Sequence, residues 1–353
     1  MQTTDSLVSV VVPTYNRRES LDRLLRALAQ QTLPPERFEV VVVDDGSTDG
    51  TAELARSLTL PYALRVLRQP NQGPAQARNL GVAQARGPLV VFLDDDVVPR
   101  PHLIAAHVAA HQAHPGAVVI GPMSPPPNWR RPSWVHWEED LLQIQYQEML
   151  AGKYPCGPRQ FYTGNASLWR RQFLEAGGFD PRFKRAEDVE LAYRLRDRGA
   201  RFVFRPEAEV LHYASRSFES WCRTPYLYGR YDVVMYREKG HEALPCAFVE
   251  FHRRHPLTRL LVRLCLGRPA LARVAVQALR GAAAGSDWGS ARRAGRLALS
   301  AAFNVLYWQG VCDEFGDAAA LRREIATGAC GRYPAGPTTP APPVAIGTGE
   351  AVP

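Results

Sequence analysis

Lysine is nearly missing from this 353-residue chain: only Lys153, Lys184 and Lys239 occur, so almost all of its 43 basic residues are arginine. A GC-rich coding sequence explains that preference. It does not explain a second shortage, of acids in one stretch. Between His252 and Ser300 there are ten arginines and one carboxylate, Asp287, and this stretch alone accounts for the formal net charge of +8. Aromatic interleaving and helix-turn-helix or zinc-finger patterns are missing from it, which speaks against nucleic acid as a partner. Cysteine is sparse at six residues, none spaced as C-x-x-C, arguing for a reducing compartment and against a disulfide scaffold or structural zinc. No apolar run reaches the length of about 18 residues that a membrane-spanning helix needs. The nearest, Leu297 to Val311, is interrupted by Ser300, Asn304 and Gln309. Met1 to Ser6 is polar without a basic start, so no secretory leader is expected and the expected location is cytoplasmic.

What is present, 46% hydrophobic and 22% charged residues, is the composition of a globular protein, not a disordered or fibrous one. Strand and helix signals alternate through the first 125 residues. Leu7 to Val12, Val40 to Val43, Tyr62 to Leu67 and Leu89 to Leu93 are apolar strand runs. Leu21, Leu24, Leu25 and Leu28 follow the spacing of one helix face, and Thr51–Ser57, Ala75–Arg86 and His102–His114 are further helix segments. Short strands joined by helices predict parallel pairing with covered sheet faces. Prolines 122, 125, 126, 127 and 132 mark a loop from Gly121 to Ser133. A strand signal at Phe161–Trp169, a helix near Glu187–Arg198 and strands at Arg201–Phe204 and Glu209–Tyr213 follow. The organisation expected is a nucleotide-binding half at 1–125, an acceptor half at 126–215, a helical extension at 216–330 and a disordered tail at 331–353.

Ligands of open parallel sheets bind at the carboxyl ends of the strands. Those ends here read Pro13-Thr14-Tyr15-Asn16, Asp44-Asp45-Gly46-Ser47 and Asp94-Asp95-Asp96. Neither G-x-G-x-x-G nor a P-loop pattern occurs, which disfavours a dinucleotide or P-loop site. Acidic residues at neighbouring strand ends suit a divalent cation that keeps waters and bridges phosphates. An isolated acidic triplet is also an ordinary solvated turn, but this one follows an apolar strand and precedes Val97-Val98-Pro99.

The segments VSVVVPTYNR, FEVVVVDDGSTDGT, GPAQARNLG and LVVFLDDDV, followed by TGNASLWRR, GGFDPRF and AEDVELAYRLRDRG, resemble the inverting family 2 glycosyltransferases of the GT-A fold. The resemblance runs from Leu7 to Ser215, thins beyond Arg216, and is specific because seven spaced motifs agree. It implies a Rossmann-like, mostly parallel sheet flanked by helices, a nucleoside diphosphate sugar donor with uridine as the default base, and a magnesium or manganese ion. Tyr15 would stack on the base, Asp45 would accept a hydrogen bond from it, and Pro13 and Thr14 would supply backbone nearby. Arg78 would lie near the ribose or diphosphate, with Asp94 and Asp95 on the donor side. Asp96 would bind the metal, as would a late histidine for which His212 is the candidate, although a lone histidine after a strand is often structural. Gly164, Asn165 and Glu187 would lie on the acceptor side, and Asp188 matches the general base. Asp188 precedes Leu191 and Leu195, which places it in the first turn of a helix, where the macrodipole favours the carboxylate but weakens it as a base. The acceptor implied is a glycan or a lipid-linked hydroxyl in surface polysaccharide, glycolipid or natural-product assembly.

Two other readings compete. A sugar-1-phosphate nucleotidyltransferase would need a Gly-rich, Lys-bearing loop where PTYNRRES stands, and a silent scaffold would not need Asp96 and Asp188. His102, His107, His111 and His114 include metal-like spacings but read as an exposed helix face, and Trp129, Trp134 and Trp137 suit an acceptor wall or simple packing equally. Cys156 and Cys222 show no activating partner. In the arginine-rich stretch, Leu257, Leu260, Leu261 and Leu264 form an apolar stripe beside Arg259 and Arg263. That is the pattern of a helix lying in a membrane interface, with peripheral contact through residues 252–310. A helix packed on the catalytic domain with its arginines in water gives the same pattern.

Overall fold

The computed structural model describes residues 7–284 and 292–327, so the tail expected at 331–353 lies outside the described residues. The chain divides into two compact units, one holding residues up to Trp129 together with Leu142–Ala214, the other Arg130–Leu141 and the chain from Ser215.

The first unit begins β1 (Val8–Thr14), α1 (Arg18–Leu28), β2 (Phe38–Asp44), α2 (Thr51–Ser57), β3 (Ala63–Arg68), α3 (Pro74–Gln84) and β4 (Leu89–Leu93). It continues with β5 (Val97–Pro99), α4 (Leu103–Ala113), β6 (Val118–Ile120) and β7 (Met123–Ser124). α5 (Ser133–Leu150), whose residues up to Leu141 belong to the second unit, is followed by β8 (Asn165–Trp169), α6 (Arg170–Glu175), α7 (Glu187–Asp197), β9 (Phe202–Phe204) and β10 (Val210–His212). β1, β2 and β4 are buried at every position, which is why they read as unbroken apolar runs instead of alternating ones. α1 turns Leu21, Leu24, Leu25 and Leu28 inward, and α3 lies so close to β1 that a Cβ at Gly81 would stand 2.4 Å from Val11 Cγ1.

The main sheet has the order β3-β2-β1-β4-β8-β6-β9 and a small sheet the order β5-β10-β7. In the main sheet pairing is parallel except at β8, which runs antiparallel to both β4 and β6. β8 begins beside the end of β4, where Asp94 N–H donates to Gly164 O at 3.4 Å. Its first residues therefore adjoin the strand ends, and only Asn165–Trp169 of the longer apolar stretch is strand. Inside the proline loop, β7 pairs with β10, which in turn pairs with β5.

The histidines of α4 do not form an exposed face: His107 and His111 are buried. Asn165 donates from Nδ2 to Pro122 O (3.0 Å) and Ala208 O (2.7 Å), so its Oδ1 accepts from His107 Nε2 (3.0 Å). The Ser167 hydroxyl then donates to His107 Nδ1 (2.8 Å) and accepts from His111 Nε2 (2.8 Å). Burial pushes the His107 pKa down to about 4 and that of His111 to about 3, so both rings are neutral pins between α4 and β8. The tryptophans are packing residues. Trp129 donates to Ala214 O and meets Tyr213 edge-on, Trp134 donates to Arg216 O, and Trp137 packs against Trp221 and Phe303.

The second unit is helical: α8 (Phe218–Lys239), α9 (Ala243–Arg253), α10 (Pro256–Cys265), α11 (Pro269–Ala284), α12 (Arg292–Phe315) and α13 (Ala318–Thr327). Ser217 caps α8 by accepting from Ser220 N–H at 3.1 Å, and Gly240 ends it in the left-handed region. α8 and α12 cross at two glycines: a Cβ at Gly229 would lie 2.0 Å from Tyr307 O and one at Gly310 1.9 Å from Tyr226 O. No helix among the described residues is long and apolar enough to cross a membrane.

Candidate active site

The residues singled out at the strand ends meet within the first unit. After β1, Asn16 adopts a left-handed φ of 50°. From there it ties two loops together, accepting from Thr48 N–H with Oδ1 and donating its own N–H to Ser47 Oγ, both at 2.8 Å. Asp45, past the end of β2, accepts from Gln69 Nε2 (2.7 Å), Gln72 N–H (2.9 Å) and Gly73 N–H (2.8 Å). This carboxylate thereby fixes the loop that leads into α3. Pro13 and Thr14 are buried, Tyr15 is half-buried, and the Thr14 hydroxyl donates to Asp95 Oδ2 at 2.7 Å.

Arg78 on α3 is 1% exposed and sits between two carboxylates, with Nη2 2.6 Å from Asp94 Oδ1 and Nη1 3.0 Å from Glu187 Oε1. A buried guanidinium needs such partners, and here it joins the end of β4 to the start of α7. Asp188, next in the chain, is 2% exposed; its Oδ1 accepts from Val189 N–H at 2.8 Å, while its buried Oδ2 has no hydrogen-bond partner. Removal from water, and then the neighbouring Glu187 carboxylate, push its pKa up to about 7 against the pull of Val189 N–H, Arg78 and Arg185. Contrary to the expectation from the helix terminus, Asp188 stands in the first turn of α7 yet burial outweighs the macrodipole and leaves a stronger base than an ordinary carboxylate.

Pairing of β10 with β5 puts His212 opposite Val97 and its Nε2 3.5 Å from Asp96 Oδ1. Arg17 Nη1 is 3.9 Å from the other Asp96 oxygen. Among the described residues no three His, Cys, Asp or Glu side chains are grouped to hold a metal by themselves. One carboxylate and one imidazole nevertheless fit a cation that completes its shell with water and substrate phosphate, and Asp94 Oδ2 nearby in sequence is buried without a hydrogen-bond partner.

Three residues are turned inward where the resemblance implies ligand contact. Both Arg78 Nη atoms are occupied by carboxylates, Glu187 is one of those partners, and Asn165 is fully buried with its amide spent on His107, Pro122 and Ala208. Gly164 is buried and its carbonyl accepts from Asp94 N–H. Sequence reasoning missed Arg17, Gln69 and Arg185. Arg17 is the last residue of VSVVVPTYNR and Arg185 directly precedes AEDVELAYRLRDRG, whereas Gln69 reaches Asp45 only through the fold.

Carboxylates at the ends of β2 and β4 beside the Thr14–Asn16 turn after β1, on this largely parallel sheet and with α7 brought alongside by Arg78, make the first unit a GT-A domain. Residues 9–178 match the family model described as Glycosyl transferase family 2. It is 37% identical over 222 residues to a validoxylamine A glucosyltransferase of Streptomyces hygroscopicus subsp. limoneus, covering 55% of this chain and 48% of that protein. Over 234 residues it is 30% identical to a pre-mycofactocin glycosyltransferase of Mycobacterium tuberculosis, covering 63% of this chain and 46% of the relative. The chain thus spans about half the length of these curated relatives. Two solved structures share the fold. S. aureus TarS 1-349 in complex with UDP superposes with a TM-score of 0.54 at 21% identity, covering 88% of this chain and 92% of TarS 1-349. The mannosyltransferase PcManGT from Pyrobaculum calidifontis, in complex with GDP-Man and Mn2+, gives 0.52 at 24% identity, covering 90% and 86%.

Proposed function

We propose that this chain transfers a sugar from a nucleoside diphosphate sugar, UDP-linked by default, to a hydroxyl acceptor with inversion at the anomeric carbon. The observation that carries the reading is Asp188: a buried carboxyl with one unpartnered oxygen and a pKa near neutrality, beside a carboxylate cluster at strand ends. An acceptor hydroxyl is a poor nucleophile at neutral pH. Asp188 Oδ2 takes its proton as the oxygen attacks the anomeric carbon and the nucleoside diphosphate leaves, a contribution of about 10²–10⁴-fold. Tyr15 offers an aromatic face to the base, with Pro13, Thr14 and Asp45 shaping that end of the pocket. Asp94 and Asp95 line the donor side. Asp96 and His212 would hold a divalent cation, magnesium or manganese, which when bound offsets the negative charge that grows on the diphosphate. Arg78 and Glu187 act as positioning residues, holding α7, and hence Asp188, against the strand carrying Asp94.

The acceptor is a glycan or a lipid-linked hydroxyl, and the place of work is the cytoplasm or the cytoplasmic face of a membrane. The five cysteines among the described residues, all free thiols, support a reducing compartment. In the deciding experiment, Asp188→Asn keeps its affinity for the nucleotide by titration calorimetry and loses transfer by about 10²-fold or more. Equal losses of binding and transfer would reduce Asp188 to a structural residue.

A further inference from the structure

α10 has three faces. Thr258, Val262 and Cys265 are buried, while Leu257, Leu260, Leu261 and Leu264 fall within about 100° of one another on a second side and Arg259 and Arg263 lie on a third. The leucine side faces water: Leu257 is 63%, Leu260 54% and Leu264 47% exposed. α11 repeats the arrangement, burying Ala272, Val276 and Ala283 and exposing Leu271 at 43% and Val274 at 67%. Five of the nine large hydrophobic side chains exposed among the described residues therefore lie between positions 257 and 274. Leu257, Leu260 and Leu264 are therefore not what α10 packs inward with, because its inward face is made by Thr258, Val262 and Cys265.

Charge selects the partner. From Pro256 to Ala284 the chain has five arginines and no acid. Arg263, Arg268 and Arg273 are exposed, and none of the three forms an ion pair among the described residues. Pairing this face with a second copy would bring unneutralised arginines together. A surface of anionic lipid headgroups over an apolar layer answers both parts of the pattern.

We infer that α10 and α11 form a docking face for an anionic lipid surface, the leucines entering the headgroup boundary and the arginines meeting lipid phosphates. This goes beyond the transferase reading and does not depend on it, because its test needs no turnover. The purified chain is mixed with phosphatidylcholine vesicles containing about one third phosphatidylglycerol and floated through a density gradient at low salt and at about 0.5 M salt. The chain floats with anionic vesicles at low salt, is released by high salt and does not float with phosphatidylcholine alone. Two variants, Leu257→Ser/Leu260→Ser/Leu264→Ser and Arg263→Glu/Arg268→Glu/Arg273→Glu, bind about tenfold or more weakly while melting like the parent, since all six residues are exposed. Three results would overturn the inference: no flotation of the parent chain, flotation unaltered in both variants, or a dimer in solution that the leucine variant dissociates.

Discussion

Glu187 and Asp188 are adjacent carboxyls with different tasks, and the difference comes from their neighbours. Glu187 is ion-paired with Arg78 at 3.0 Å, whereas Asp188 has only a backbone N–H on one oxygen. With the Asp188 pKa near 7, the base form grows as pH rises through neutrality, so turnover at saturating donor climbs across that range and levels above it. Glu187→Gln removes the like charge next to Asp188 and should move the rising limb to lower pH, with nucleotide affinity kept. A pH–rate profile of parent and variant decides this. An unmoved limb would mean that Glu187 does not set the protonation of Asp188. The motif residues at 187 and 188 were legible in sequence, but the direction of this shift was not. Spacing places a carboxyl in the first turn of a helix and cannot tell how deeply that turn is buried.

Among the elements, sequence periodicity located β1 to β4 and α1 to α4 well, because buried parallel strands are continuous apolar runs with little ambiguity, but it gave no sign of α5. It failed where order depends on partners distant in sequence. The reversed strand β8 and the three-residue strands β5 and β10 carry no signature of direction, yet they bring Gly164 beside Asp94 and His212 beside Asp96. The α4 histidines show the same limit, for their burial depends on Asn165 and Ser167, more than fifty positions away. That buried pair has a consequence for stability. Unfolded histidine takes up a proton near 6.5, while folded His107 and His111 resist until about 4 and about 3, so the unfolded chain binds more protons in between. Stability therefore holds above pH 6.5 and falls as pH drops towards 4. Replacing one titrating ring with an amide that still donates to Ser167, His111→Gln, should flatten this decline by about 1.4 kcal/mol or more between those limits. Denaturant melts at several pH values measure it, and parallel curves for parent and variant would contradict the assignment of the neutral pins.

For the whole molecule, the match to the family model and the GT-A fold rest on the first unit, while the arginine excess and the exposed leucines of α10 belong to the second. Sequence showed that the second was helical and basic but left open which side of α10 faced inward, since an apolar stripe looks the same whether it is packed or exposed. The central claim concerns the first unit and is independent of lipid. UDP-, GDP- and dTDP-sugars are incubated in turn with the chain and manganese, with water or a simple glycan as acceptor, and the newly released or transferred sugar is followed by proton NMR from the first minutes. One donor should be consumed, with its sugar appearing first in the anomeric configuration opposite to that of the donor. A product of retained configuration, or nucleotide that binds and raises the melting temperature while every donor stays intact, would contradict the account.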